Sequence, residues 1–211
     1  MLPPDYFAHA LKETASQTSG PFVHIGLAPH LVGIGGVKPI GSNKLAGPGT
    51  KGERITIEGR IFDASGTPLR DALVEIWQAN AAGRYNHPAD RQKKPLDKSF
   101  RGWGRTCTDF ETGLFTFETV KPGAVEGRNG GVMAPHVSLW IAARGINIGL
   151  QTRMYFPDEE KANAADPVLN GIEWVSRRKT LVAVLEQRKG KPVYRFDMRL
   201  QGADETVFFD A

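Results

Sequence analysis

The stretch Arg54-Ile-Thr-Ile-Glu-Gly-Arg-Ile-Phe62 alternates apolar and polar residues over nearly its whole length. Side chains on a strand point alternately to opposite faces, so this pattern predicts a strand with one buried face. Asp63-Ala-Ser-Gly66 follows as a turn signal, and Ala72-Leu-Val-Glu-Ile-Trp77 resumes the alternation. The same reading extends to residues 113–119, 136–143, 150–156 and 194–200. Short strands separated by turns, with little helix, predict a mainly β protein. The architecture expected is an antiparallel two-sheet β-sandwich with long irregular loops and an N-terminal arm.

Around that frame the pattern is irregular. Residues 1–20 read as the arm, with a short helix predicted over 6–13. Phe22-Val-His24-Ile-Gly-Leu27 is an apolar, strand-like run, and His24 within it reads as structural. Residues 29–52, rich in Gly and Pro, form a long loop of the kind that carries function or assembly. The sandwich takes 53–211, and the whole chain, 1–211, reads as a single domain. Asp158-Glu-Glu-Lys-Ala-Asn-Ala-Ala165 predicts a short helix capped by Asp158 and limited by Pro167.

With 211 residues, 24% charged and 40% hydrophobic, the chain can bury a sizeable core and is not of the disordered class. Its net charge is +4 and its pI about 9.2. The basic residues are dispersed, in clusters no longer than Arg91-Gln-Lys-Lys94 and Arg177-Arg-Lys179, and no nucleic-acid motif accompanies them. They leave a modest bias toward anionic substrates. No apolar run reaches the length of a membrane span. Met1-Leu-Pro-Pro-Asp-Tyr6 lacks the basic and apolar segments of a secretory signal. Cys107 is the single cysteine, so no internal disulfide can form, which fits a cytoplasmic protein. It reads as a small buried apolar residue between two threonines.

The chemistry-bearing segment is Met133-Ala-Pro-His136-Val137-Ser138. His136 opens a strand, and on a strand residues i and i+2 share a face. A His-x-His pair there would aim two imidazoles at one ion. Ser138 stands at the second position, and a neutral hydroxyl is a poor ligand for a transition metal. The segment looks like half of a metal site that has been dismantled. His9, His24, His30 and His87 have no carboxylate at ligand spacing, so no zinc or calcium site is expected.

Several further words, in order, carry a resemblance. They are Val74-Glu-Ile-Trp77-Gln-Ala-Asn80-Ala-Ala-Gly-Arg84-Tyr85, Gly104-Arg105-Thr106, Val120-Lys-Pro-Gly123, Ala134-Pro-His136 and Tyr194-Arg-Phe-Asp197. Together they resemble the intradiol ring-cleaving dioxygenases. Thr14-Ala-Ser-Gln-Thr18-Ser-Gly20-Pro21-Phe22, Ala143-Arg144-Gly-Ile-Asn-Ile148 and the ending Gln201-Gly-Ala-Asp-Glu205-Thr-Val-Phe-Phe-Asp210 resemble the alpha chains of the two-chain members that cleave protocatechuate.

Catalytic members of that family hold Fe(III) with two tyrosines and two histidines, so the resemblance implies a role for each matching position. Tyrosinate is a hard anionic donor suited to Fe(III), and a catechol can then bind as a chelating dianion. Tyr85 matches the first tyrosine and Val125 the place of the second. His136 matches the first histidine and Ser138 the place of the second, while Met133 replaces a substrate-contacting arginine. Two of four ligands are absent, so this chain is expected to hold no metal and no catalytic residue. Tyr85 then reads as an amphipathic side chain whose hydroxyl bonds a neighbour. His136 reads as a hydrogen-bonded remnant.

For alpha chains the resemblance also implies that Thr18, Gly20, Pro21 and Arg144 reach into the iron site of a related beta chain and bind substrate there. Arginine suits the carboxylate that protocatechuate carries. The alternative is an interface ion pair for Arg144 and a plain turn for Thr18–Pro21. Phe22 stands where many alpha chains have tyrosine, without its hydroxyl.

Three functional readings follow. The first is an iron-free subunit that, with a beta chain bearing Fe(III), cleaves protocatechuate with O2 to 3-carboxy-cis,cis-muconate in a higher-order hetero-oligomer. The second is a self-sufficient dioxygenase with an unusual ligand set. The third is a non-enzymatic β-sandwich binding module, which calls for aromatics spread over an exposed sheet face. Trp77, Trp103, Trp140 and Trp174 lie in or beside core strands and turns, against that reading.

Overall fold

The computed structural model describes residues 15–36, 38, 41–127 and 130–210. The helix expected over 6–13, and His9, lie outside them. Twelve strands are formed among the described residues. β1 (Arg54–Gly59), β2 (Ile61–Phe62), β3 (Leu73–Gln78), β4 (Trp103–Cys107), β5 (Phe115–Val120) and β6 (Val125–Glu126) come first. β7 (Val132–Met133), β8 (His136–Ala142), β9 (Leu150–Tyr155), β10 (Val184–Arg188), β11 (Lys191–Arg195) and β12 (Met198–Arg199) follow. The helices are short: α1 (Val23–Leu27), α2 (Glu160–Ala165), α3 (Pro167–Gly171) and α4 (Val175–Arg178).

Two four-stranded sheets, in the orders β10-β11-β1-β5 and β4-β3-β8-β9, enclose the main core. Ile55, Ile57, Phe117 and Tyr194 of the first sheet meet Val74, Ile76, Val137, Leu139, Ile141 and Met154 of the second. These are the apolar positions of each alternation. The sandwich is therefore set by burial of one face per sheet. Most ladders are antiparallel, but β1 pairs with β11, and β2 with β12, in parallel.

The outward face of the second sheet is covered in two places. At one end α1 packs Val23 and Leu27 onto Leu73, Cys107, Ala142 and Trp140. At the other end α3 and its neighbours bury Tyr155 under Leu169 and Leu181. Between these covers lies a patch where β3, β8 and β9 present Trp77, Ser138 and Arg153 in direct register.

Three expectations need correction. The run around His24 is helical, because the 3-10 turn Gly20–Phe22 continues into α1. Asp158 does not cap α2: Glu159 sits at the cap position, and the Asp158 carboxylate takes Lys121 Nζ at 2.6 Å and Tyr194 OH at 3.0 Å. Trp77, Trp103 and Trp140 are on core strands but point outward, half-covered, and Trp174 is 69% exposed.

Candidate functional site

Tyr85 is placed by a loop that closes on itself. Asn80 Oδ1 accepts from the backbone of Ala82 at 2.9 Å and of Arg84 at 3.0 Å, and Asn80 Nδ2 donates to Pro95 O at 2.9 Å. Gly123 N donates to Asn80 O at 3.0 Å, tying the Lys-Pro-Gly segment to the same loop. Gly83 has φ +79, and a Cβ there would lie 1.9 Å from Ala124 O. Only glycine lets the two backbones approach so closely. Asp90 Oδ2 then takes Tyr85 N at 2.7 Å. The Tyr85 ring stacks on Trp77, with centroids 5.8 Å apart and planes within 5°.

His136 is buried at the start of β8. Its Nδ1–H donates to Ala134 O at 2.7 Å, which leaves the lone pair on Nε2. That lone pair faces Tyr85 OH at 3.4 Å. The phenol proton thus meets the nitrogen that would otherwise be free to bind a metal. Burial, with Arg153 nearby, pushes the His136 pKa down to about 4. Burial also raises that of Tyr85. Both groups are therefore neutral at physiological pH.

Ala134 is fixed by a second buried group. Asp166 Oδ2 accepts from Ala134 N at 2.8 Å, while Oδ1 caps α3 through Val168 N at 2.8 Å and Leu169 N at 2.9 Å. Tyr155 OH adds a bond to Oδ1 at 3.1 Å. The strap leading to His136 is thereby bolted to the helix that covers β9.

The remaining expected positions fall close by. Val125 is buried in β6, directly opposite Met133 of β7. Ser138 sits between Trp77 and Arg153 in the ladder. Arg153 Nη1 reaches Met133 Sδ at 3.4 Å. Arg153 was not anticipated from sequence, although its place in the β9 alternation puts it on the outward face. The donor set does not suit a ferric ion. Tyr85 and His136 offer one oxygen and one nitrogen, Val125 offers no donor atom, Ser138 offers a neutral hydroxyl, and a fixed guanidinium adjoins them. Among the described residues no group of three or more His, Cys, Asp or Glu could hold a metal.

A second constellation lies at the far end of β8. Ala143, Arg144, Gly145 and Ile146 form a turn closed by Ile146 N to Ala143 O at 3.2 Å, with Gly145 at φ +81. Thr18 Oγ1 accepts from Gly145 N at 2.9 Å and donates to Ala143 O at 3.5 Å. The same oxygen takes Gly20 N at 3.3 Å, in the turn that carries Pro21. Thr18, Gly20, Pro21 and Arg144 are thus neighbours, across 125 residues of sequence between Thr18 and Ala143. Arg144 forms an ion pair with Asp71. Beside it opens a cavity of about 540 Å³ lined by His24, Arg70, Asp71, Phe110 and Arg144, among others. Elsewhere, Cys107 is buried and its thiol is pushed up to about 11 by that burial.

A dioxygenase family model matches residues 42–202. The alpha chain of protocatechuate 3,4-dioxygenase from Pseudomonas putida is 48% identical over 200 residues, 95% of this chain and 97% of that one. The beta chain of protocatechuate 3,4-dioxygenase from Burkholderia cepacia is 39% identical over 160 residues, 74% of this chain and 67% of that one. Among solved structures, 3-chlorocatechol 1,2-dioxygenase from Rhodococcus opacus 1CP superposes with a TM-score of 0.58 at 24% identity. It covers 74% of this chain and 62% of its own, and shows the shared fold. The chain belongs to the intradiol ring-cleavage dioxygenase family, on the branch of the protocatechuate 3,4-dioxygenase alpha chains. No helix of the described residues is long and apolar enough to cross a membrane.

Proposed function

We propose that this chain is the iron-free alpha subunit of a cytoplasmic protocatechuate 3,4-dioxygenase. Its partner is a protocatechuate 3,4-dioxygenase beta chain, which would hold the Fe(III) that the substrate's diol chelates. The bond between the two hydroxylated ring carbons breaks, both atoms of O2 enter the product, and 3-carboxy-cis,cis-muconate results. The observation that carries this reading is likeness to an alpha chain over 95% of the sequence. The donor set around His136, which does not suit iron, agrees with it.

In this reading residues 1–211 form one domain, and residues 1–20 are an arm that meets the partner while Thr18 near its end stays bonded to the Arg144 turn of its own chain. Thr18, Gly20 and Pro21 complete a wall of the beta chain's pocket. Arg144 meets the substrate carboxylate with a charge-assisted hydrogen bond and so orients the ring. Likeness to a beta chain as well as to alpha chains supports pairing of two similar sandwiches about a pseudo-twofold axis, repeated in a larger assembly.

Co-expression with a beta chain tests the reading, with iron counted per chain and O2 uptake measured on protocatechuate. Iron confined to the beta chain, and turnover only by the pair, is the expected result. Stoichiometric iron and ring cleavage by the isolated alpha chain would favour a self-sufficient enzyme instead.

A further inference from the structure

We infer that Asp71 is a positioning residue for Arg144, holding its guanidinium at the angle from which a substrate carboxylate is met. The inference rests on the proposed role of Arg144 and adds a residue to it.

Asp71 is a firm anchor. The next residue, Ala72, is fully buried, and its backbone is pinned on both sides by Thr108. Ala72 N donates to Thr108 Oγ1 at 3.0 Å, and Thr108 N donates to Ala72 O at 2.8 Å. The Asp71 side chain is 13% exposed, whereas that of Arg144 is 57% exposed. Asp71 is therefore a short, mostly covered side chain on a pinned backbone, and the arginine is a long exposed side chain that its carboxylate holds.

The backbone of Arg144 is clamped from the other side. Thr18 Oγ1 bonds both Ala143 O and Gly145 N, which flank it. Main chain and side chain are thus restrained by two independent segments, the arm and the loop before β3. The ion pair uses Nη2. A guanidinium has five N–H donors on a planar fork, so with one Nη2 hydrogen on Asp71 an edge of the fork stays available for a second carboxylate. Asp71 also partly offsets the Arg144 charge. If that offset dominated, removing it would tighten anion binding. If positioning dominates, removing it loosens binding, because a free arginine must be ordered on each binding event.

The test uses the assembled alpha–beta enzyme carrying Asp71→Asn, Arg144→Ala or both, assayed on protocatechuate and on a catechol without the carboxylate. Asp71→Asn should raise KM for protocatechuate about three- to tenfold, the cost of ordering one long side chain. It should leave kcat nearly unchanged and the plain catechol unaffected. Asp71→Glu should restore part of the loss. The double variant should be no worse than Arg144→Ala, since Asp71 acts only through Arg144. A fall in KM for Asp71→Asn, or an equal loss on both substrates, overturns the inference. If Arg144→Ala weakens protocatechuate binding and Asp71→Asn does not, the positioning role alone fails. If Arg144→Ala has no effect on either substrate, the role of Arg144 itself fails, and that of Asp71 with it.

Discussion

Arg153 lies directly across the β8–β9 ladder from Ser138, and its guanidinium reaches Met133 Sδ at 3.4 Å. A fixed positive charge therefore borders the patch where Tyr85 and His136 meet.

Placing a tyrosine and a histidine at the two positions that the resemblance assigns to iron ligands should not by itself create iron binding. A like-charge pair ~5 Å apart at an effective dielectric of ~20 repels by about 3 kcal/mol, and a trivalent ion multiplies that figure. Val125→Tyr with Ser138→His should therefore hold far less Fe(III) than the same pair combined with Arg153→Gln. Iron content and the tyrosinate charge-transfer colour report the difference. Equal loading of the two variants would show that Arg153 has no such effect.

Acid should weaken the fold through His136. An unfolded histidine titrates near 6.5, and burial lowers His136 to about 4. Between those values the unfolded chain binds a proton that the native chain refuses. Stability should thus fall as pH drops from about 6.5 to about 4, by up to roughly 3 kcal/mol. Urea unfolding at a series of pH values measures the slope. His136→Phe should flatten it within that window, and an unchanged slope would assign the acid sensitivity to other groups.

Asp166→Ala should destabilise the chain by about 3 kcal/mol, because three backbone amides and a phenol would lose a buried acceptor. The amides are those of Ala134, Val168 and Leu169, and the phenol is Tyr155. Thermal unfolding measures the loss. A cost under about 1 kcal/mol would mean that water enters and replaces the carboxylate.

Arg144→Ala in the assembled enzyme should raise KM for protocatechuate about tenfold or more, since a hydrogen bond to a charged group contributes roughly 1.5–3 kcal/mol. Catechol, which shares the diol but lacks the carboxylate, should be much less affected. Arg144→Lys should rescue only partly, because an ammonium lacks the planar fork. Steady-state kinetics on the two substrates decide, and an equal loss on both points to an interface role.

The sandwich was legible wherever one strand face is uniformly apolar, as in β1, β3, β5, β8 and β9. β4 escaped notice because Gly104 and Arg105 interrupt its alternation. β10 is a charged edge strand, joined to β11 by Lys189-Gly190, both at positive φ. Periodicity reports faces and not neighbours, so the parallel pairing of β1 with β11 left no trace in the pattern. In the site, the meeting of Tyr85 with His136, and of Thr18 with the Arg144 turn, was implied by resemblance and by no local spacing. Arg153 carried a signal that was overlooked, a cation on the outward positions of a strand otherwise well buried. Asp71 carried none, since an aspartate in a loop looks alike whether it points to water or to an arginine.

The place of β11 between β10 and β1 bears on how the chain folds. Nearby, Arg60 N reaches Asp197 Oδ1 across 137 residues of sequence. On a ribosome, the first sheet cannot close until almost the whole polypeptide has emerged. Until then β1 can pair with β5, but its other edge stays open. Such long-range closure slows folding and leaves a sticky strand exposed meanwhile. A chain stalled or truncated before residue 191 should therefore aggregate rather than wait as a stable half-sandwich.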